Sequence, residues 1–441
     1  MITSPASSPA PPAARRPRIV AAPPGPRAAE LVDLDSRVLS PSLTRPYPLV
    51  IERGQGVWVS DVDGNEFLDF TAGIAVAATG HAHPAVVEAV QEQAARFLHM
   101  AGTDFYYEVE IELAARLAEA VPVHSPARVF FTNSGTEAVE GAMKLARWAT
   151  GRPHLLAFTG AFHGRTLGAL SLTASKALQR DGFGPLVPGV FHVPYPLAGP
   201  AGPSTDEVLR RIDEVLHTLA PPPSVAAIFV EPIQGEGGYI VPPDDFLPRL
   251  RDLTRRHGIL LVVDEIQTGM GRTGRLFALE HSGMPADIVT VAKGMASGMP
   301  LGAFVAGEGI MTWPPGAHGS TFGGNPVSCA AALATLDLIR GGLLENASAR
   351  GSELRSGLDQ LRERYPALLT DVRGWGLMLA GECASAEQAR LVIEAAFRRG
   401  LLTIPAGERA IRLTPALTLS SDEVAVGLEI LDAACAEVAH M

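Results

Sequence analysis

Lysine is the scarce basic residue of this sequence. Of 36 lysines and arginines only Lys144, Lys176 and Lys293 are lysines, and an amine can do what a guanidinium cannot: lose its proton and attack a carbonyl. Lys293 follows the apolar run Ile288–Ala292, and Asp264 follows the apolar run Ile259–Val263. Taken singly, Asp264 reads as a strand-end cap and Lys293 as a loop residue; together, with lysine so scarce, they read as a functional pair. A third piece is Thr132-Asn133-Ser134-Gly135-Thr136-Glu137, which follows the run Val129–Phe131 and opens a helical pattern. Small residues with free N–H groups at a helix N-terminus suit a phosphate, and the same residues also form a capping motif of Ser134 with Glu137. An amine, a carboxylate and a phosphate cradle are the parts that pyridoxal phosphate requires: a lysine for its aldehyde, an anion to keep the pyridine nitrogen protonated, and a seat for the phosphate. In such a site Lys293, displaced by the substrate amine, carries the proton to and from the reacting carbon.

The elements that must position these residues are legible in the periodicity. Val57–Asn65 alternates and ends in an Asp-Gly turn, with Glu66–Phe70 returning, which predicts a β-hairpin. Val129–Phe131, Leu155–Phe158, Ala226–Val230, Ile259–Val263 and Ile288–Val291 are short and uniformly apolar, as buried parallel strands are. Helical patterns fit at 84–97, 110–120, 137–148, 205–219, 245–257, 327–339 and 343–364. Strands alternating with helices predict a doubly wound α/β layer, whose ligands gather at the carboxyl ends of the strands, where Asp264 and Lys293 lie. The last hundred residues mix helix and strand, as a smaller α+β domain does. Residues 1–27, rich in Pro, Ala and Ser, read as a disordered tail; 28–95 as an N-terminal segment joining the small domain; 96–335 as the large domain; and 336–441 as the C-terminal small domain.

Other features narrow the function. A chain of 441 residues, 47% hydrophobic, can bury a large core. No apolar run approaches the roughly 18 residues that span a bilayer, so the cytoplasm is the expected compartment. Cys329, Cys383 and Cys435 are odd in number and widely spaced, which fits neither a disulfide framework nor a zinc site. The net charge of −11 has no basic block to offset it, which argues against a nucleic-acid partner. Gly269-Met270-Gly271-Arg272-Thr273-Gly274 matches a dinucleotide-binding spacing, but it comes five residues after the strand and opens no helical pattern. His81-Ala82-His83 is too short a cluster to specify a metal, and hydrogen bonding or packing is expected there.

Six stretches in order, Phe131–Glu137 (FTNSGTE), Ala161–Thr166 (AFHGRT), Glu231–Gly238 (EPIQGEGG), Asp264–Gln267 (DEIQ) with Arg272-Thr273-Gly274, Ala292-Lys293-Gly294 and Gly319–Pro326 (GSTFGGNP), resemble the class III, or ω-amino acid, aminotransferases. The resemblance runs from about Pro24 to the C-terminus. It implies pyridoxal phosphate as cofactor and fold type I, the aspartate aminotransferase fold. It also implies a homodimer with shared active sites. On that resemblance Lys293 carries the cofactor, Asp264 pairs with the pyridine nitrogen and Gln267 with the ring's phenolic oxygen. Gly135 and Thr136 hold the phosphate, with Thr321 of the other subunit completing it, and Phe162 stacks on the ring with Val263 or Ile266 behind. Ser134, His163 and Glu231 complete the cofactor set.

The same resemblance implies how substrate is held. Arg165 takes a substrate carboxylate, and Glu236 pairs with Arg412 until glutamate draws the arginine to its α-carboxylate. Ile74 resembles the aliphatic wall of 4-aminobutyrate aminotransferases, and Tyr106 and Tyr107 lie in a loop suited to the tyrosines of ornithine-specific members. The implied reaction moves the amino group of 4-aminobutyrate, ornithine or acetylornithine to 2-oxoglutarate by a ping-pong cycle. The same scaffold also hosts amino-acid racemases, the alternative reading.

Overall fold

The computed structural model describes residues 14–198 and 202–441. Its centre is a seven-stranded sheet in the order Ala127–Thr132, Gly302–Gly307, Ile288–Val291, Leu260–Asp264, Val225–Val230, His154–Phe158 and Val190–Val193. All the predicted core strands are there and run in one direction. Gly302–Gly307 is antiparallel to both its neighbours, so Ala127–Thr132 reaches the sheet only through it. Neither Gly302–Gly307 nor Val190–Val193 was expected, because Gly and Ala dilute the apolar signal of the first and His192 interrupts that of the second.

Helices cover both faces. Gly135–Thr150 begins where Ser134 Oγ accepts from the Glu137 N–H at 3.4 Å and ends at Gly151, whose φ of +68° is the left-handed conformation glycine adopts freely. Phe246–His257 likewise stops at Gly258. Pro326–Leu338 continues through a π-helical turn at Ile339–Leu343 into Leu344–Arg364, so the two helices expected there are joined. The turn, with Gly342 at φ +134°, is where the chain passes from the large layer into the small domain.

The small domain carries a four-stranded sheet in the order Leu369–Trp375, Met378–Cys383, Ala410–Leu413, Ile404–Ala406. A second four-stranded sheet begins with Ile51–Gln55, continues through the predicted hairpin, Trp58–Asp61 against Glu66–Asp69, and is completed by Leu401–Leu402 lying parallel to Leu68 and Asp69. The N-terminal segment is thereby stitched to the C-terminal domain.

The expected disorder through residue 27 is corrected from residue 14 onward, while residues 1–13 lie outside the described residues. Arg18 exchanges backbone hydrogen bonds with Glu66, and the Asn65 side chain accepts from the N–H groups of Val20 and Ala21. The helix Pro26–Val38 starts where Asp63 accepts from Arg27 and Ala28 N–H. Composition reports what a segment can bury by itself; here the hairpin turn supplies the acceptors that order it.

Candidate active site

Asp264 ends one strand and Lys293 follows the next, and the two strands are hydrogen-bonded neighbours with Asp264 level with Thr290. Asp264 Oδ2 is 2.7 Å from His163 Nδ1, and Oδ1 accepts from Ile266 N–H at 3.0 Å. His163 is wholly buried, and its backbone N–H donates to Thr173 Oγ1, which anchors the loop that carries the imidazole. Burial pulls the His163 imidazole down, but the Asp264 hydrogen bond and charge outweigh it and hold it above its ordinary value.

Lys293 sits at φ +47°, a left-handed conformation costly for a side chain with a Cβ and typical of residues whose placement matters more than their comfort. Its amine is held below its ordinary pKa, first by burial and then by the Arg412 charge, against the opposing pull of Glu236, Asp264 and Glu231. A buried amine that gives up its proton readily is what a nucleophilic and proton-carrying lysine needs.

These groups face a cavity of about 380 Å³. Of the expected site residues, Ser134, Gly135, Thr136, Phe162, His163, Arg165, Glu231, Asp264, Ile266, Gln267 and Lys293 line it. Val76, Asn133, Met299 and Leu301 line it as well and were not anticipated. Val263, offered as an alternative to Ile266, is in the core, and Ile266 takes the cavity position. Ile74 does not line the cavity: the left-handed turn at Gly73 and Ile74 leaves it 46% exposed, and Val76 supplies the apolar wall. Thr321 is exposed, on a loop tied back by Asn133 Nδ2 donating to Ser320 Oγ at 3.2 Å. Tyr106 is 95% exposed and Tyr107 donates to Gly324 O; neither lines the cavity.

Behind the wall, Arg412 Nη1 and Glu236 Oε1 meet at 2.6 Å, joining the small domain to the large. Burial alone would raise the Glu236 carboxyl; the Arg412 guanidinium holds it below its ordinary value. Arg165 is exposed at the mouth, its guanidinium 5.7 Å from the Phe162 ring. Tyr239 donates to Gln267 Oε1 at 2.9 Å, a contact between residues 28 apart with no local sequence signal.

Glu231 is buried and accepts from Phe162 N–H at 3.0 Å and Gly235 N–H at 2.9 Å, locking two of the motifs together. Burial, with the Asp264 charge adding and His163 opposing, pushes its carboxyl up to about 7 from 4.5. The native state therefore holds the Glu231 proton between about pH 4.5 and 7 where the unfolded chain releases it, and this contribution to stability is lost as pH rises through that window. Glu231→Gln, which mimics the protonated form, should gain on the wild type by about 1–3 kcal/mol between pH 5 and 8. Chemical unfolding of both proteins at several pH values measures it; a difference independent of pH refutes the shifted carboxyl.

The remaining sequence features are structural. Gly269–Gly274 is a run of turns whose Arg272 is fully buried and donates to the carbonyls of Leu377 and Pro415, fastening the two domains. His81 Nε2 is 2.8 Å from Asp69 Oδ2. Lys144 faces His318, and the three cysteines are free and buried.

The residues present fit pyridoxal phosphate. The cradle leaves no room for larger side chains: a Cβ on Gly164 would lie 2.2 Å from Thr136 Oγ1, one on Gly135 2.9 Å from Ile266 Cδ1, and one on Gly302 2.5 Å from Ser134 O. The helix N-terminus at Gly135 and Thr136 presents N–H groups, the Asp264 carboxylate is aimed by His163, and the amine of Lys293 is below its ordinary pKa. Those are a phosphate seat, an anion and a nucleophile around one cavity.

The sequence profile of the family described as aminotransferase class-III matches residues 40–435. An alanine/serine racemase from Pyrococcus horikoshii is 40% identical over 439 residues, covering 95% of this chain and 92% of its own. An acetylornithine aminotransferase from Synechocystis sp. is 43% identical over 404 residues, covering 88% and 90%. Among solved structures, an ornithine aminotransferase from Toxoplasma gondii superposes with a TM-score of 0.85 at 31% identity, covering 93% of this chain and 95% of that one. With residues that fit pyridoxal phosphate around one cavity of a fold type I scaffold and the family profile spanning nearly the whole sequence, the chain belongs to the class III aminotransferases, a family of pyridoxal-phosphate-dependent enzymes.

Proposed function

We propose that the protein is an ω-aminotransferase that passes the terminal amino group of an ω-amino acid to 2-oxoglutarate in a ping-pong cycle. The observation that carries this reading is the closed Glu236–Arg412 pair at 2.6 Å beside the cavity. A paired arginine presents no net charge to a neutral or cationic stretch of an ω-amine, and released it offers a bidentate fork to an α-carboxylate. Two alternating substrates of unlike charge pattern need such a device. Among donors, ornithine and acetylornithine draw support from the relatives' names, whereas 4-aminobutyrate rests on the resemblance at Ile74.

When bound, pyridoxal phosphate supplies an electron sink for the C–H bond that breaks. Lys293, its proton affinity lowered by burial, removes and returns that proton. Asp264, aimed by His163, would pair with the ring nitrogen; Gly135 and Thr136 would hold the phosphate with their N–H groups; Phe162 and Ile266 would pack against the ring, and Gln267 would donate to its phenolic oxygen. Arg165 at the mouth takes a substrate carboxylate. Arg165→Ala should raise the substrate KM about ten- to a hundredfold through loss of a charge-assisted hydrogen bond, and unchanged steady-state kinetics on every carboxylate-bearing substrate would remove Arg165 from the site.

A homodimer belongs to this reading, with Thr321 completing the other subunit's phosphate seat. Support comes from exposed apolar side chains: Leu98, Phe105, Tyr106 and Phe322 are all more than half exposed, and Asn325 Nδ2 donating to Leu98 O ties the two segments that bear them. The cytoplasm is the proposed compartment, in keeping with three free thiols.

The deciding experiment is an absorbance scan of the cofactor-loaded protein with 4-aminobutyrate, L-ornithine, N-acetyl-L-ornithine or L-leucine and no oxo acid. Loss of the visible band with one ω-amine identifies a transaminase and its donor together. The racemase at 40% identity keeps a second reading in play, proton removal and return at an α-carbon without transfer. A band that survives every donor while an α-amino acid loses optical purity would replace the first reading with that one.

A further inference from the structure

Tyr239 touches both halves of the proposed site, Gln267 on one side and Arg412 on the other. It follows the Glu231–Gly238 motif, is fully buried, and adopts φ +56°, a left-handed conformation that a bulky residue takes only where the surroundings over-determine it. Its hydroxyl donates to Gln267 Oε1 at 2.9 Å. The face of its ring carries the Arg412 guanidinium, with Arg412 Cζ 5.7 Å from the ring centroid. The ring packs among Ile233, Met378, Ala380, Ala406 and Ala410, so the large-domain loop that bears it is keyed into the small domain. Gly407 N–H also donates to Glu236 O at 2.9 Å, and Arg373 Nε donates to Gly238 O at 2.9 Å, which hold that loop on either side of Tyr239.

We infer that Tyr239 is a positioning residue that sets the donor direction of Gln267 on the cofactor side and serves as the platform on which Arg412 turns on the substrate side. The first half follows from hydrogen-bond inventory. A glutamine amide has one acceptor end and one donor end, and they exchange on a half-turn. With Oε1 occupied by the Tyr239 hydroxyl, the amide presents Nε2–H to the cavity it lines; without that bond the turned amide would present an oxygen to the electron-rich ring oxygen. The second half follows from what Arg412 must do. Its Nη1 is bonded to Glu236 and its buried Nε has no partner, so a guanidinium that leaves Glu236 for a substrate carboxylate keeps Tyr239 beneath it. An aromatic face stabilises a cation without fixing its rotation, which suits a group that must swing.

This inference rests on the roles proposed above for Gln267 and Arg412, and two variants separate its halves. Tyr239→Phe keeps the ring and removes the hydroxyl. In the cofactor-loaded protein the visible band should then titrate about 0.5–1 unit higher, a three- to tenfold change in proton affinity, because a proton shared with the ring oxygen is held more tightly once the amide no longer donates there. Tyr239→Leu removes the platform as well. Its KM for 2-oxoglutarate should rise about five- to twentyfold above that of Tyr239→Phe, while the KM for the ω-amine moves less than about twofold. Circular dichroism and melting of both variants establish that each is folded. An unmoved titration in Tyr239→Phe overturns the first half, and equal KM values for 2-oxoglutarate in the two variants overturn the second. A wild-type protein that does not use 2-oxoglutarate fails the proposed function instead, and the titration of Tyr239→Phe still judges the Gln267 contact.

Discussion

Lys293→Ala should abolish transamination, lowering kcat by at least about 10⁴-fold, and should in the same protein remove the visible absorbance of the lysine-held cofactor. The two losses are expected together because one nitrogen is responsible for both. The other two lysines cannot substitute: Lys144 is bonded to His318 and Lys176 is exposed. Lys293→Arg should be no better than alanine, since a guanidinium does not give up its proton. A stability measurement on the cofactor-free variants reads the backbone cost of the site. Lys293 holds a left-handed φ of +47° and a buried amine whose proton affinity is lowered, so the site is paid for in folding free energy. Lys293→Gly, which relieves both costs, should be more stable than Lys293→Ala by about 1–2 kcal/mol. A variant that keeps both the absorbance and the activity would end the assignment of Lys293.

The lining of the cavity was largely legible because it is built from local signals. Asp264 and Lys293 each terminate a uniformly apolar run, and such runs become adjacent buried strands whose ends face one crevice. The cradle at Ser134–Thr136 is a strand-to-helix turn with its own capping signature. What the sequence did not disclose depends on contacts between distant residues. Tyr239 acquires its place from Gln267 and from Arg412 on a strand of the other domain, and nothing in the letters around it marks either. Val76 lines the cavity while Ile74 turns outward because of four consecutive left-handed residues, Ala72, Gly73, Ile74 and Ala75, only one of which is a glycine. Residues 18–28 fold onto Asp63, Asn65 and Glu66, acceptors that composition cannot count.

Arg412→Ala should divide the two half-reactions. The amino-donor half-reaction meets Arg412 only as the neutralised partner of Glu236, so its rate should fall less than about tenfold. The oxo-acid half-reaction needs the free guanidinium for the α-carboxylate, and loss of a buried charge-assisted pair worth about 3–5 kcal/mol predicts a KM for 2-oxoglutarate raised at least a hundredfold. Single-turnover absorbance changes follow each half separately: bleaching by the ω-amine, then recovery on adding 2-oxoglutarate. Glu236→Gln should err in the other direction. With its partner neutral, Arg412 stands charged beside the cavity, so α-amino acids gain access while the ω-amine loses the uncharged wall it requires. The Arg412–Glu236 contact at 2.6 Å also crosses the domain boundary, and a purely structural latch would make each substitution slow both half-reactions alike. Opposite selectivities in the two variants are what a switch between substrates demands, and parallel losses would reduce the pair to a latch.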